Sequence, residues 1–274
     1  MTNVVENSPV KTQAFAPRRR KWSRESTERV MNIISPLALL GVWELCARLG
    51  IIDVRFFPAP SKVFQVMYNL IENGQLVKHA WASLQRLWWG ILFGGIPALI
   101  LGVAMGMYRG LRIVVEPVIA ATYPIPKSAI LPLILLIFGL GEASKIVMVA
   151  TGVFYPILIN AMAGVLEISK IHFDVSRNFG AGRWQVFKTV ALPGALPLIM
   201  TGVKLGVGLG LVLISIAEMV GAKSGLGYMI WNAWEILSVE TMYVGLITIA
   251  VLGLVFTLVL NEIERLIVPW KASR

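Results

Sequence analysis

Long apolar runs separated by short polar segments make up most of the chain. Six of these runs reach or approach the roughly 20 residues with which a helix crosses a hydrocarbon core of about 30 Å. They cover residues 31–49, 85–108, 113–140, 145–165, 195–220 and 242–264. Between the first two runs, residues 56–82 predict a short interfacial helix with Ser61 as its N-cap. The pattern predicts an all-α, polytopic membrane protein with about six transmembrane helices.

Composition supports the same class of protein. Of the 274 residues, 57% are hydrophobic and 15% are charged, against roughly 45–50% apolar and 25% charged in a soluble domain. The net charge of +10 comes from Lys and Arg residues that occur in a few clusters, which in a membrane protein marks cytoplasmic loops and not a surface for nucleic acid. We expect a basic cytoplasmic tail over residues 1–30 and one membrane domain over residues 31–270.

The positions of Lys and Arg also predict the orientation. If the N-terminus is inside, the inside segments carry Lys11, Arg18, Arg19, Arg20, Lys21, Arg24, Arg29, Arg109, Arg112, Lys170, Arg177, Arg183, Lys188, Arg265, Lys271 and Arg274. The outside segments carry Arg55, Lys62, Lys78, Lys145 and Lys223. Since cytoplasmic loops are enriched in Lys and Arg, we expect both termini in the cytoplasm.

The stretch "DVSRNFGAGRWQVFKTVALP" at residues 174–193 is polar and basic, although apolar runs precede and follow it. Spacings of three and four residues predict a helix with one apolar face, which Ser169 could cap. Its apolar residues are Ile168, Ile171, Val175 and Phe179. Gly180 and Gly182 are predicted to end this helix, and a second short helix would end at Leu192-Pro193-Gly194.

Two interpretations of these helices remain open from the residues alone. Each helix has about ten residues, too few to cross a bilayer, so both are expected at its surface. They could be an interfacial anchor held by Trp184. They could equally be an element that docks another protein.

The stretch resembles the cytoplasmic coupling loop of binding-protein-dependent ABC transporter permeases. That loop has the signature Glu-Ala-Ala, three residues, Gly, nine residues, Ile, one residue, Leu-Pro. Here Gly180 and Leu192-Pro193 match, Val190 takes the place of Ile, and Asp174-Val175-Ser176 takes the place of Glu-Ala-Ala. Four longer stretches look like the nitrate, sulfonate and taurine branch of the family. They are "FFPAPSKV" at 56–63, "YPIPKSAILPLILLIFGLGEASK" at 123–145, "GAGRWQVFKTVALPGALP" at 180–197 and "AEMVGAKSGLGYMI" at 217–230.

The resemblance implies a type I importer permease in the bacterial inner membrane. Its partners would be a second permease copy in a homodimer, two cytoplasmic ABC ATPase subunits and an external solute-binding protein. The coupling loop would be residues 166–193, with ATPase coupling carried by Asp174, Val175, Ser176, Gly180, Gly182, Arg183, Leu192 and Pro193. The solute would be small and anionic, with sulfonates and taurine favoured over nitrate, bicarbonate, aromatic carboxylates and pyrimidine precursors.

The chain itself has no motif for ATP hydrolysis. A P-loop has the form GxxxxGK[ST], and neither "GLGEASK" at 139–145 nor "GAKSGLG" at 221–227 contains the required Gly-Lys pair. We therefore expect ATP and Mg²⁺ on the partner subunits and no cofactor in this chain. His79, His172 and Cys46 do not form a metal-ligand spacing, so neither a metal site nor catalytic residues are predicted.

The alternative class is a membrane scaffold or an intramembrane enzyme without a transport role. An enzyme would require a charged pair or a nucleophile inside the spans.

Charged residues inside the predicted spans are candidates for a translocation path. Pro124, Pro126 and Pro132 predict that the third span is broken, and Lys127 lies at the break. Lys204 lies in the fifth span and Glu218 near its outer end. A buried charge in a bilayer is costly unless it faces water or a partner, so each is a functional candidate. The alternatives are snorkelling or pairing with a carbonyl for Lys127, and a solvated helix end for Glu218.

Glycines also recur at spacings of four, which permit close helix contact. They are Gly90 and Gly94, Gly102 and Gly106, and Gly202, Gly206 and Gly210. Gly206 and Gly210 are assigned to the translocation path, because the resemblance places their helix beside it. For each glycine pair the functional interpretation is a homodimer seam or a moving gate, and packing within the chain is the alternative.

Overall fold

The computed structural model describes residues 24–270, without the side chains of 24–30, 32 and 33, and this part divides after Val54 into two compact units. Residues 1–23 of the predicted basic tail lie outside the described part. The first unit contains α1 (Arg24–Arg48). Within it, Nε of Arg48 donates a hydrogen bond of 2.6 Å to Oε1 of Glu44, one helical turn away.

The second unit is built from helices. They are α2 (Pro60–Glu72), α3 (Gln75–Met107), α4 (Arg109–Thr122), α5 (Leu131–Phe138), α6 (Glu142–Leu166), α7 (Lys170–Asn178), α8 (Arg183–Val186), α9 (Leu192–Met219), α10 (Leu226–Glu235) and α11 (Val239–Ile267). A 3-10 turn (Lys127–Ile130) precedes α5, and a π-helical segment (Phe187–Ala191) joins α8 to α9.

Four continuous helical stretches of the described chain are long and apolar enough to cross a membrane. They are Gln75–Met107, Glu142–Leu166, Arg183–Met219 and Val239–Ile267. A fifth candidate is the pair formed by Arg109–Thr122 and Lys127–Phe138, which is bent by 86°. The predicted break of this span is therefore confirmed. The first predicted span falls on α1, which is not among these stretches, so that span stays a prediction.

The core of the second unit lies where α3, α6 and α9 pack together. Its buried centre includes Leu87, Val149, Val153, Ile157 and Ile214. Glycines allow the helices to approach: a Cβ at position 94 would lie 2.4 Å from the carbonyl oxygen of Ala150. The helices α3 and α6 run in the same direction and α9 runs opposite to them, so Met107, Leu166 and Leu192 lie at one end of the bundle. We call this the α7 end, and the opposite end the Glu218 end.

The prediction of a second short surface helix is wrong. Instead, α8, the π-helical segment and α9 form one continuous helix from Arg183 to Met219. Proline usually ends a helix since its ring clashes with a carbonyl one turn earlier and it has no N–H to donate. Here Pro193 lies two residues after the end of the wider π-helical turn of Phe187–Ala191. A π-helical turn changes the local hydrogen-bond pattern and so can accommodate the proline without ending the helix.

Of the two predicted helix caps, Ser61 is wrong and Ser169 is confirmed in position. Ala59 is the N-cap of α2, and Pro60 rather than Ser61 begins the helix. Proline suits the first turn because the N–H that it lacks would have no partner within the helix. Ser169 is the N-cap of α7, as predicted, but its side chain makes no capping hydrogen bond.

Candidate functional site

The α7 end carries the segment that the sequence singles out for docking. Beyond α7, Gly180 has φ +75°, a left-handed conformation that favours glycine. Its N–H donates to the carbonyl of Arg177 at 2.9 Å, and the N–H of Ala181 donates to that of Ser176 at 3.0 Å. These bonds satisfy the last carbonyls of α7 and turn the chain. Gly180 therefore ends α7, as predicted, and leads the chain towards α8.

The apolar side of α7 is exposed in the described chain. Phe179 has 87% of its surface exposed and Ile171 has 62%. Val175 on the same side is exposed as well, as is Trp184 at the start of α8. We call Ile171, Val175, Phe179 and Trp184 the docking face. Since exposed apolar surface of this kind is costly in water, it indicates a contact with a partner or a bilayer.

A cleft of about 710 Å³ lies beside the docking face, between α7, α8 and the ends of α3 and α6. We call it the α7 cleft. Its charged lining residues are Lys170, Asp174, Arg177 and Arg183. Phe173 anchors α7 beside the cleft by packing onto the buried cluster around Ala161 and Ala195. The cleft is therefore basic overall, with one carboxylate.

The other predicted coupling residues have identifiable positions. Ser176 turns inward and its hydroxyl donates to the carbonyl of Phe173 at 2.8 Å. Gly182 is the N-cap of α8, where its N–H donates to Oε1 of Gln185 at 3.2 Å. Leu192 and Pro193 lie inside the long helix and do not end it. The segment thus brings Asp174 and Arg183 together at the α7 cleft.

A cluster of charged side chains occupies the Glu218 end. The side chain of Glu218 is fully buried, and it accepts hydrogen bonds from Nη1 of Arg86 at 2.8 Å and from the hydroxyl of Ser83 at 2.8 Å. The N–H of Gly227 donates to the same carboxylate at 3.0 Å. The interpretation of Glu218 as a solvated helix end is therefore wrong, because α3 and the start of α10 enclose it.

Arg86 holds several elements at this end and was missed in the sequence. Its Nη2 donates to Oε1 of Glu142 at 2.8 Å, and its Nη1 donates to the carbonyl of Ser224 at 2.7 Å. A signal was available, because an arginine within an apolar run is a functional candidate by default. Its partners lie 56 and 132 residues away, so spacing could not reveal them. We call Ser83, Arg86, Glu142, Glu218 and Ser224 the charge cluster.

Backbone donors complete the contact between α3 and the loop that precedes α10. The N–H of Leu226 donates to the hydroxyl of Ser83 at 2.8 Å, and that of Gly225 donates to Nδ1 of His79 at 3.1 Å. A Cβ at position 225 would lie 2.2 Å from the carboxyl carbon of Glu218, so only glycine fits there. The charge cluster therefore fixes the loop and the start of α10 on α3.

Lys204 forms an ion pair within the chain. Its Nζ donates to Oε2 of Glu264 and to Oδ1 of Asn261, both in α11. Gly206 on the same helix faces α6, where a Cβ would lie 3.3 Å from the carbonyl oxygen of Val153, and a Cβ at position 210 would lie 2.9 Å from Cδ1 of Leu87 in α3. These contacts favour packing within the chain for the glycines. A path role for Lys204, Gly206, Gly210 and Glu218 stays a prediction.

Lys127 lies at the break between α4 and α5. Its Nζ donates to the carbonyls of Thr122 at 3.0 Å and Tyr123 at 3.2 Å, and it lies 4.0 Å from the ring centroid of Tyr155. The alternative of pairing with carbonyls is therefore observed for Lys127, and its path role stays a prediction. Beside Lys127 lies a cleft of about 400 Å³ between α3, α6 and the break.

This architecture is that of a polytopic membrane protein, with membrane helices and a polar segment at one end. The family described as "Binding-protein-dependent transport system inner membrane component" matches residues 90–272. The chain belongs to this family. It is therefore a multi-pass inner membrane protein and a permease subunit of an ABC importer, a transporter component and not a catalyst.

Relatives match nearly the whole chain. It is 34% identical to the taurine transport system permease protein of Escherichia coli (strain K12), covering 92% of this chain and 94% of the relative. It is 30% identical to a permease protein assigned to aliphatic sulfonates transport in Bacillus subtilis (strain 168), covering 96% and 95%. Among solved structures, a chain of the inward-facing methionine ABC transporter MetNI has a TM-score of 0.53 at 23% identity, covering 70% of this chain and 96% of that chain. That likeness supports the fold.

Proposed function

We propose that this permease imports a small organic anion, driven by ATP hydrolysis on separate cytoplasmic subunits that bind its docking face. One observation carries the coupling part of the proposal. The apolar side of α7 is exposed beside a basic cleft, at the position where the family signature falls. A surface that only anchored the chain would not need the ordered turn at Gly180 between two helices. A groove on an ATPase subunit could cover Phe179 and Ile171 and present carboxylates to the α7 cleft.

The proposed assembly has two copies of this chain, two ABC ATPase subunits and an external solute-binding protein. ATP and Mg²⁺ bind to the ATPase subunits. The α7 end then faces the cytoplasm, as does each terminus. The concentration of Lys and Arg at the α7 end supports this orientation, because Arg109, Arg112, Lys170, Arg177 and Arg183 are all found there.

The proposed solute is a sulfonate or a taurine-like compound. The names of the two permease relatives support this choice, and so does the positive charge of Lys127 at the break of a membrane helix. Nitrate, bicarbonate, aromatic carboxylates and pyrimidine precursors are the competing solutes in an uptake assay.

The test is recovery of partner proteins with the tagged permease from mild detergent, followed by mass spectrometry. We expect an ATPase subunit with a P-loop to be recovered with the wild-type chain. Gly180→Asp should abolish this recovery, since a side chain at φ +75° strains the turn and places a charge beside the docking face. ATP-driven uptake of taurine into proteoliposomes should be lost in parallel.

The matched control is Gly74→Asp. Gly74 has φ +74° and, like Gly180, open space around its Cβ position, but it precedes α3 at the Glu218 end. The backbone cost of the two substitutions is therefore similar, while Gly74 differs from Gly180 in its location and in being the N-cap of α3. Recovery of the ATPase with Gly74→Asp and not with Gly180→Asp supports docking at α7. Equal recovery with both variants, or no ATPase with the wild type, would refute the proposed coupling.

A further inference from the structure

The cleft at the break between α4 and α5, which we call the break cleft, has the size of a small-molecule site. It holds about 400 Å³, within the range of roughly 300–1,000 Å³ for ligand sites. Most of its wall is apolar, from Phe93, Pro97, Ile125, Val147 and Phe154. Among the described residues that line it, Lys127 alone carries a charge.

The break cleft lies at the level of the middle of the membrane helices. Phe93 and Pro97 are near the centre of α3 (Gln75–Met107), and Phe154 is near the centre of α6 (Glu142–Leu166). A lysine at this depth cannot easily reach either membrane surface. The Nζ atom of Lys127 instead turns back onto the last turn of α4.

Backbone chemistry indicates what the break cleft faces. Between Thr122 and Lys127 the chain is not helical, and the two flanking helices diverge by 86°. Non-helical backbone at membrane depth is tolerated where it lines a water-filled cavity or is buried in protein, but not against lipid. The same holds for a charged ammonium group. Two independent features therefore exclude lipid as the surroundings of the break cleft and leave water or a protein partner to face it.

The polar contacts of Lys127 leave its charge uncompensated. Two of its three N–H groups donate to the carbonyls of Thr122 and Tyr123, and the ring of Tyr155 lies 4.0 Å from Nζ. Carbonyls and an aromatic face stabilise a cation only partly. No ion pair of Lys127 with a carboxylate occurs in the part of the chain that the structure describes. An anion entering the break cleft would supply the missing charge.

We propose that the break cleft is a binding site for the transported solute, an organic anion whose charged group contacts Nζ of Lys127 and whose apolar part contacts Phe93, Phe154 and Val147. The site rests on the proposed function and adds a selection step within the membrane. An inorganic oxyanion could meet Lys127 but has no group to cover the apolar walls. An uncharged apolar solute would leave the ammonium unpaired. The break cleft therefore selects for both properties together, which favours an alkanesulfonate over taurine, because the end of taurine opposite its sulfonate carries an ammonium group.

The test is direct binding of butane-1-sulfonate to the full-length chain in lipid nanodiscs, measured by calorimetry. Lys127→Met should weaken binding at least about tenfold, because a charge-assisted hydrogen bond is lost. Lys62→Met is the matched control, since Lys62 is an exposed lysine on α2 outside the break cleft, and it should bind as the wild type does. Inorganic sulfate and butan-1-ol should each fail to displace the probe at equal concentration.

A second variant is needed because Lys127→Met could weaken binding by disturbing the backbone at the break between α4 and α5. Val147→Phe narrows the apolar wall and leaves Lys127 in place, and it should weaken binding of butane-1-sulfonate severalfold while the thermal unfolding temperature is retained. Unchanged binding in both variants, or a loss of the butane-1-sulfonate binding signal in the presence of an equal concentration of sulfate, would overturn the site. Absence of binding in the wild type would also overturn it.

Failure of the site and failure of the proposed function give different results. If the wild type recovers a P-loop ATPase but does not bind butane-1-sulfonate, the site is wrong and the coupling proposal stands. If butane-1-sulfonate binds with the expected dependence on Lys127 but no ATPase is recovered, the coupling proposal fails. Lys127→Met should recover the ATPase as the wild type does, because Lys127 lies outside the docking face.

Discussion

Glu218 of α9 and Arg86 of α3 form an ion pair of 2.8 Å in which both side chains are almost completely removed from solvent. The pair lies 132 residues apart in sequence and joins two of the three helices of the core. Arg86 also contacts Glu142 at the start of α6. One guanidinium therefore connects α3, α6 and α9 at the end of the bundle that lies away from the docking face.

Removal of Arg86 is expected to destabilise the protein strongly. Arg86→Met leaves the carboxylate of Glu218 buried without its cation, which costs about 3–5 kcal/mol of unfolding free energy. In the double variant Arg86→Met/Glu218→Gln neither charge remains, so much of this loss should be recovered. Glu142→Gln should cost about 1 kcal/mol or less, since the side chain of Glu142 is 65% exposed. Thermal and denaturant unfolding in detergent measures all three. Independent, additive losses in the double variant would contradict the pairing.

Glycine packing on α9 can be tested at two positions of the same helix. A Cβ at position 202 would lie 2.8 Å from the carbonyl oxygen of Pro156, so Gly202→Ala should cost about 1–3 kcal/mol through overpacking. Gly208 has open space around it, and Gly208→Ala should be neutral or stabilise the helix by up to about 1 kcal/mol. Unfolding temperatures of the two variants give the comparison. An equal decrease in unfolding temperature in both variants would show that the contact between α9 and α6 is not the reason for glycine at position 202.

Two phenylalanines, Phe173 in α7 and Phe179 directly after it, should separate binding at the docking face from stability. Phe179 is 87% exposed, so Phe179→Ser should leave the unfolding temperature of the isolated permease unchanged and reduce recovery of the ATPase. Phe173 packs on a buried cluster, and Phe173→Ser should lower the unfolding temperature. Co-purification and thermal unfolding are measured on the same preparations. Normal ATPase recovery with Phe179→Ser would remove this residue from the docking face.

The ion pair between Lys204 and Glu264 provides a test of the path assignment for Lys204. Lys204→Met should lower stability, because it leaves Glu264 partly buried without this cation. The double variant Lys204→Met/Glu264→Gln should recover part of the loss. Taurine uptake per folded permease should stay close to that of the wild type in the double variant. Loss of uptake in a stable double variant would instead support Lys204 as a path residue.

Local patterns in the sequence predicted the features that neighbouring residues determine. Pro124 and Pro126 predicted the break of the third span, and Gly180 predicted the end of α7, because proline and glycine act on their own backbone. The continuous helix through Pro193 was not predicted, since the compensating π-helical turn depends on backbone geometry over several residues. A local pattern showed where the chain could break but not whether it does.

The sequence could not predict which residues far apart in the chain contact each other. The spacing of Gly202, Gly206 and Gly210 predicted a close helix contact, but not that α6 would be the other helix. In the same way, Glu218 was recognised as unusual while Arg86, its partner, was missed. Which side chains meet depends on how α3, α6 and α9 align, and this is decided by packing over the whole core.

The helix from Arg183 to Met219 has 37 residues and at 1.5 Å per residue is about 55 Å long. It begins at the α7 cleft and ends beside Glu218. In the proposed assembly, a displacement of Trp184 by an ATPase subunit would act on one end of this helix, while Arg86 holds the other end to α3 and α6. The π-helical turn at Phe187–Ala191 and Pro197 interrupt its regular hydrogen-bond pattern, and both lie in the half nearer to Trp184. The docking face and the charge cluster, at opposite ends of the bundle, are thus parts of one continuous helix and its immediate contacts.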